Sequence, residues 1–187
     1  MRPQQTSRYH PLLVALHWVM APLIIAALAL GALVMAKLPS SDPMKLEALR
    51  AHGIGGAAIG FLMLVRLALR TRTRPPEPAR TGNLGLDRLA RTSHRLFYVV
   101  VIGMAGSGLY MALQTGLPSI LLGSGKALPE DFWVYPVRAV HYTLSRILMV
   151  LIVLHLIGVL YHTLIRRDGL LRRMTFGRPT VPEKHLS

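Results

Sequence analysis

Cysteine is absent from the 187 residues of this chain, and acidic residues number only 8 against 22 lysines and arginines. Without thiols the chain cannot form disulfides, thiolate-ligated zinc sites or iron–sulfur clusters. Apart from methionine, only the 8 histidines offer nitrogen or sulfur ligands of note to a metal. Charge of either sign is also missing from three long stretches, residues 9–36, 96–125 and 147–165. Metal chemistry in this chain therefore depends on imidazole, and long uncharged stretches suggest a membrane.

The distribution of apolar residues indicates an integral membrane protein. Hydrophobic residues make up 52% of the chain, and the mean hydropathy is +0.42. Crossing a bilayer takes about 20 apolar residues, which the uncharged stretches supply, and residues 51–65 supply a fourth segment if Arg66 is tolerated. A cleaved signal peptide is disfavoured because the first apolar stretch is too long for one and contains His17.

We therefore predict an all-α fold, a transmembrane four-helix bundle in up-down-up-down order. Proline and small polar residues separate the first two apolar segments, which is typical of a short connection between helices. The predicted helices, inside a single membrane domain over residues 8–173 with tails at 1–7 and 174–187, cover about 11–36, 46–70, 86–113 and 137–166.

The basic residues are concentrated at one side of the predicted bundle. Sixteen of the 22 lie in the N-terminal tail, in residues 66–95 and in the C-terminal tail. Because lysine and arginine mark the cytoplasmic loops of membrane proteins, both termini are predicted to be cytoplasmic. These arginines are interpreted as contacts to lipid headgroups, so membrane lipid is a predicted partner and nucleic acid is not.

Four histidines within the predicted helices pair by depth. His141 and His155 are fourteen residues apart in the fourth helix. Fourteen helical steps rise about 21 Å and end within about 40° of the same face, so both rings share one face at two levels. Alternating helix direction then puts His52 at the outer level with His141, and His17 at the inner level with His155. A polar ring inside an apolar helix needs a partner, and each pair supplies one.

Two histidine pairs at two levels of a four-helix bundle are what bis-histidine haem requires. The sequence therefore predicts haem iron between His52 and His141 and between His17 and His155. The segment GIGGAAIG directly after His52 offers either room for a flat group or close contact between helices.

Three further polar residues lie at the predicted inner end. His162, seven residues after His155, is an alternative inner ligand and otherwise a quinone-site residue or a support for the ligands. His94 is either a headgroup-level polar residue or a contact to ligand or quinone. Arg66, fourteen residues after His52 and on the same helix face, is predicted to reach the headgroups or to pair with an anionic group beside the inner centre.

The ordered set of these features resembles the bacterial cytochrome b561 family over about residues 8–173. The motifs that carry the resemblance are LHW in the first helix, the histidine before the glycine-rich second helix, SHRLFY and H-x13-H. The resemblance implies a protein of the bacterial inner membrane with two haem b groups, whose ligands are His17 with His155 and His52 with His141. It further implies an activity like superoxide oxidase, in which electrons pass from superoxide to ubiquinone.

The charges at the outer, periplasmic end of the bundle help to indicate which molecule donates electrons to the outer haem. Cations could steer a small anionic redox partner such as superoxide toward the outer haem. The candidate cations are Lys45, Arg50, Lys126 and Arg138. They share that surface with nearly as many acids, namely Asp42, Glu47, Glu130 and Asp131. The charge pattern therefore supports superoxide only weakly.

Two other functions stay open on the sequence. The chain could be the cytochrome b anchor subunit of a larger dehydrogenase or hydrogenase, with a redox partner protein as donor. It could also be a permease that uses its histidines as transient metal ligands. Arg146 lies inside the fourth predicted helix, and the sequence assigns it no partner.

Overall fold

A computed structural model describes residues 8–73, 76, 82–124 and 126–175. Two short 3₁₀ segments, Phe132–Val134 and Leu170–Met174, accompany five helices. The helices are α1 (Pro11–Ala29, continued by a π-helical segment Leu30–Met35), α2 (Pro43–Arg72), α3 (Leu84–Gln114), α4 (Leu117–Leu121) and α5 (Pro136–Leu160, continued by a π-helical segment Tyr161–Arg166). Four of them, with the π-helical continuations of α1 and α5, are long and apolar enough to cross a membrane, which confirms the predicted all-α bundle of four spans.

Local capping sets where the second spanning helix starts. α2 begins at Pro43, three residues earlier than predicted, because the Asp42 carboxylate accepts a hydrogen bond from the Met44 N–H at 2.8 Å. The Lys45 ammonium donates to the carbonyls of Met35 and Leu38, both at 2.7 Å. Lys45 thereby satisfies carbonyls that the end of the first spanning helix leaves free.

The bundle is held together mainly through α3. α3 packs along both α2 and α5, and α1 packs along α2, whereas α1 and α5 approach each other much more sparsely. A Cβ atom at Gly60 would lie 2.7 Å from the Ala105 Cβ, so that glycine lets α2 and α3 approach closely. The buried apolar cluster at the middle of the bundle consists of Met20, Ile59, Met63, Val100, Val101, Leu148 and Leu151.

The apolar cluster separates two levels of polar residues. We use "outer end" for the end with the connections that follow Met35 and Gln114, and "inner end" for the other. At the inner end the described termini meet, since the Tyr9 N–H donates to the Arg173 carbonyl at 3.3 Å. That this end faces the cytoplasm stays a prediction.

Candidate functional site

At the outer level, His52 of α2 faces His141 of α5 across the bundle. Their ring centroids are 6.2 Å apart, and both residues are half-buried. The Ser107 hydroxyl donates to the Met104 carbonyl at 3.0 Å, so its oxygen accepts from Nδ1 of His141, also at 3.0 Å. Nδ1 of His141 therefore carries the proton, and the lone pair of Nε2 is available to a metal.

Each outer ring rests against a helix backbone at a glycine. A Cβ atom at Gly108 would lie 3.2 Å from Cε1 of His141, and one at Gly31 would lie 3.5 Å from Cε1 of His52. Nδ1 of His52 is buried and makes no hydrogen bond with the described residues, although the Ala27 carbonyl lies close enough to attract it. A buried ring nitrogen without a hydrogen bond is uncommon, and a bound group at this ring is one explanation for it.

At the inner level, His17 of α1 faces His155 of α5. Their ring centroids are again 6.2 Å apart. Two rings of α3 surround His155, since the His94 and Phe97 centroids lie 5.7 and 5.6 Å from it. Nδ1 of His94 donates to the Ala90 carbonyl at 2.6 Å, and Nε2 makes no hydrogen bond with the described residues.

The alternative inner ligand, His162, is paired elsewhere. Its Nδ1 lies 2.6 Å from an oxygen of Asp168. Burial raises the pKa of Asp168, but the hydrogen bonds from His162 and from the Leu170 N–H outweigh burial and hold that pKa below its usual value. Asp168 is therefore an ionised acceptor at neutral pH, and Nδ1 of His162 donates to it.

Arg66 of α2 contacts a residue of α3. Its guanidinium donates to the Tyr98 hydroxyl, and its Cζ atom lies 5.4 Å from the centroid of that ring. It also lies near His17. Arg66 thus stands beside the inner pair with a tyrosine as its partner.

The outer cations are not equivalent. Arg50 pairs with Glu47 at 2.9 Å and donates to the Leu121 carbonyl at 3.0 Å. The Lys45 ammonium donates hydrogen bonds to two backbone carbonyls. Lys126 is exposed. Only the Arg138 guanidinium, 4.9 Å from the Trp133 ring centroid, has its charge coupled to both rings of the outer pair in the described part of the chain.

The donor set and spacing of both pairs fit haem. Bare metal sites in proteins use three or four ligands, and in the described residues no three histidines or acids are placed so that they could hold a metal ion together. A macrocycle supplies the other ligands of haem iron, so two imidazoles suffice. With metal–imidazole bonds of about 2.0 Å, two opposed imidazole centroids lie roughly 6 Å apart, and both pairs measure 6.2 Å.

Three of the glycines that follow His52 are not packed against a neighbouring helix. Cβ atoms at Gly53, Gly55 and Gly56 would meet nothing within 4 Å. These three glycines therefore fit the first interpretation of GIGGAAIG, room beside His52, and Gly60 fits the second, helix contact.

Sequence reasoning missed Ser107, Gly31 and Gly108. The segment GMAGSG that contains two of them reads as a small-residue stretch for helix packing. A hydroxyl within that stretch is the available signal, but sequence alone does not say which helix it faces.

The chain is similar in sequence to proteins of a known family. Residues 8–177 match the sequence profile of the family described as prokaryotic cytochrome b561. The chain is also similar to cytochrome b561 homolog 2 of Escherichia coli strain K12. The two are 26% identical over 176 residues, which cover 90% of this chain and 91% of the relative.

Proposed function

The chain belongs to the prokaryotic cytochrome b561 family, whose members are multi-pass bacterial membrane proteins of electron transfer, and on that basis we propose that it binds two haem b groups in the bacterial inner membrane. In this proposal it takes electrons from a donor at the periplasmic face and passes them to membrane ubiquinone. The observation that carries it is the pair of opposed histidines repeated at two levels with one centroid separation, 6.2 Å.

His52 and His141 hold the outer haem in this proposal, and His17 and His155 hold the inner one. A haem held by two histidines would supply a one-electron couple and would favour electron transfer over oxygen binding. Ser107 fixes the proton of His141 on Nδ1 and so presents Nε2 to the iron. The apolar cluster between the levels keeps water away from the path between the pairs.

Superoxide is the donor we propose. Two superoxide anions each give up one electron and leave as O₂, while one quinone takes two electrons and two protons and becomes quinol. Arg138 attracts the anion because it lies close to the outer pair and forms no ion pair with a carboxylate among the described residues.

Quinone is reduced at the inner end in this proposal, where two histidines offer free nitrogens. Asp168 holds the Nδ1 proton of His162, so Nε2 of that ring can exchange a proton with a quinone oxygen. His94 presents Nε2 beside His155 in the same way. Imidazole suits this task because its pKa is close to neutral pH.

An optical spectrum of the purified protein, with and without dithionite, tests the proposal. We expect absorbance of haem b and two haems per chain, because each histidine pair has a complete axial set. Colourless protein would support the metal permease and overturn the proposal, and one haem per chain would remove one site. A protein with two haems that is inert to superoxide but purifies with another subunit would be an anchor cytochrome instead.

Gly108→Ala is expected to weaken the outer haem selectively. The new Cβ would lie 3.2 Å from Cε1 of His141, so the ring must shift. Overpacking of this kind costs about 1–3 kcal/mol, which corresponds to haem loss that is faster by a factor of about 5 to 160. Transfer of haem to apomyoglobin measures that rate.

Gly106→Ala is the matched control for this prediction. It lies in the same helix and makes the same chemical change, but its Cβ would meet nothing within 4 Å. Equal rates of haem loss in the two variants would contradict the proposed support of His141 by Gly108.

A further inference from the structure

Arg146 is an exposed cation inside a membrane-spanning helix. It lies ten residues after the start of α5, about 15 Å along the helix. None of the described carboxylates forms an ion pair with Arg146. Arginine within a span usually has a partner. The described partners of the Arg146 guanidinium are the Tyr142 ring and the Met149 sulfur, which accepts from Nη1 at 3.9 Å, and neither supplies a counter-charge.

A series of contacts through aromatic rings extends from Arg146 toward the outer end. Its Cζ atom lies 4.7 Å from the Tyr142 ring centroid, because helical side chains point toward the N-terminus. Tyr142 contacts Trp133 with centroids 5.4 Å apart, and Arg138 lies over Trp133. Tryptophan and tyrosine of this kind mark the membrane interface.

The Arg146 guanidinium lies within reach of the lipid phosphates. Tyr142 lies four residues, or about 6 Å, deeper along α5 than Arg138. The headgroup region of one leaflet is about 5–7 Å thick. The guanidinium over Tyr142 therefore lies where headgroups meet hydrocarbon.

An apolar groove continues from Arg146 toward the inner end. It has a volume of about 260 Å³ and is lined by Arg146, Ile147, Val150 and Leu151. Leu151 is buried and forms its floor, while Ile147 and Val150 are exposed on its sides. The lining is entirely apolar, so Arg146 contributes its aliphatic stem to the groove, and its guanidinium lies at the groove's end over Tyr142.

We propose that Arg146 and this groove bind one phospholipid of the leaflet at the outer end. The lipid phosphate accepts hydrogen bonds from the Arg146 guanidinium, which is a strong charge-assisted contact. One acyl chain lies in the groove along Ile147, Val150 and Leu151. The site places a bound lipid on the outward face of α5, near the level of the outer histidine pair, since Tyr142 directly follows His141.

Other occupants fit the groove less well. A second copy of the chain brings no described carboxylate to this depth, because the described acids lie in connections or near helix ends. A quinone needs no positive charge in its neutral form, and Arg146 faces outward from the histidine pairs. A phosphate with attached acyl chains supplies both the anion and the apolar part.

Native mass spectrometry of the purified full chain, titrated with phosphatidylglycerol, tests the site. We expect one lipid to bind more tightly than later ones, and Arg146→Leu to weaken that first step at least about tenfold. Arg88→Leu, which removes the same charge from an exposed position at the inner end, is expected to leave it unchanged. Diacylglycerol and inorganic phosphate, each lacking half of the ligand, are expected to bind much more weakly.

Several results would overturn the proposal. If Arg146→Leu and Arg88→Leu weakened the binding of the first lipid equally, the binding would depend on the overall positive charge of the protein and not on this site. Inorganic phosphate or diacylglycerol binding as well as phosphatidylglycerol would remove the lipid as ligand. Displacement of the lipid by ubiquinone-2 would assign the groove to quinone, and a dimer that depends on Arg146 would assign it to a second copy.

Discussion

His141→Ala is expected to lower the haem content from two per chain to one by emptying the outer site, and His155→Ala is expected to empty the inner site. Each substitution removes one of the two imidazoles of a pair whose centroids lie 6.2 Å apart. The opposite pair is separated by the apolar cluster and keeps both of its ligands. Haem content by pyridine haemochrome and a redox titration of each variant measure the result.

His162→Ala is the control that distinguishes the two inner candidates. Because His162 is hydrogen-bonded to Asp168, this variant should keep both haems and lose quinone reduction rate instead. If His162→Ala loses a haem and His155→Ala does not, the inner ligand is His162. Equal haem content in wild type, His141→Ala and His155→Ala would contradict the assignment of both residues as haem ligands.

Arg138→Glu is expected to slow the reaction with superoxide by about tenfold or more at low ionic strength. Arg138 is the cation whose charge acts on both outer histidines, so its reversal repels the anion at the point of entry. The difference from wild type should shrink as salt is added, because screening shortens the range of the interaction. Stopped-flow reduction of the protein by superoxide, at several salt concentrations, gives the rates.

Lys126→Glu makes the same charge change at the outer end and is the matched control. Lys126 is exposed and, within the described residues, is not coupled to the outer pair, so we expect a much smaller effect. Both variants should retain two haems. Equal slowing by the two substitutions would mean that net charge, and not Arg138, governs the approach of superoxide.

The four spans could be predicted from the sequence because lipid imposes a strict rule. An apolar segment without charge must satisfy its backbone hydrogen bonds internally, so each long uncharged stretch becomes a helix. The helix ends were less accurate, as at Pro43, because a single side chain such as Asp42 decides where a cap forms. The face shared by His141 and His155 also follows from sequence, since a helix repeats every 3.6 residues.

What the sequence determined by itself is therefore the set of spans and the depth of each histidine along its own helix. The tertiary structure decided what lies across from each ring: His155 and not His162 opposite His17, Ser107 against His141, and Arg66 on Tyr98. Depth is a property of one helix and can be counted along the chain. Rotation of one helix against another depends on close packing among all of them, such as Gly60 against Ala105, and no spacing within a single helix encodes it.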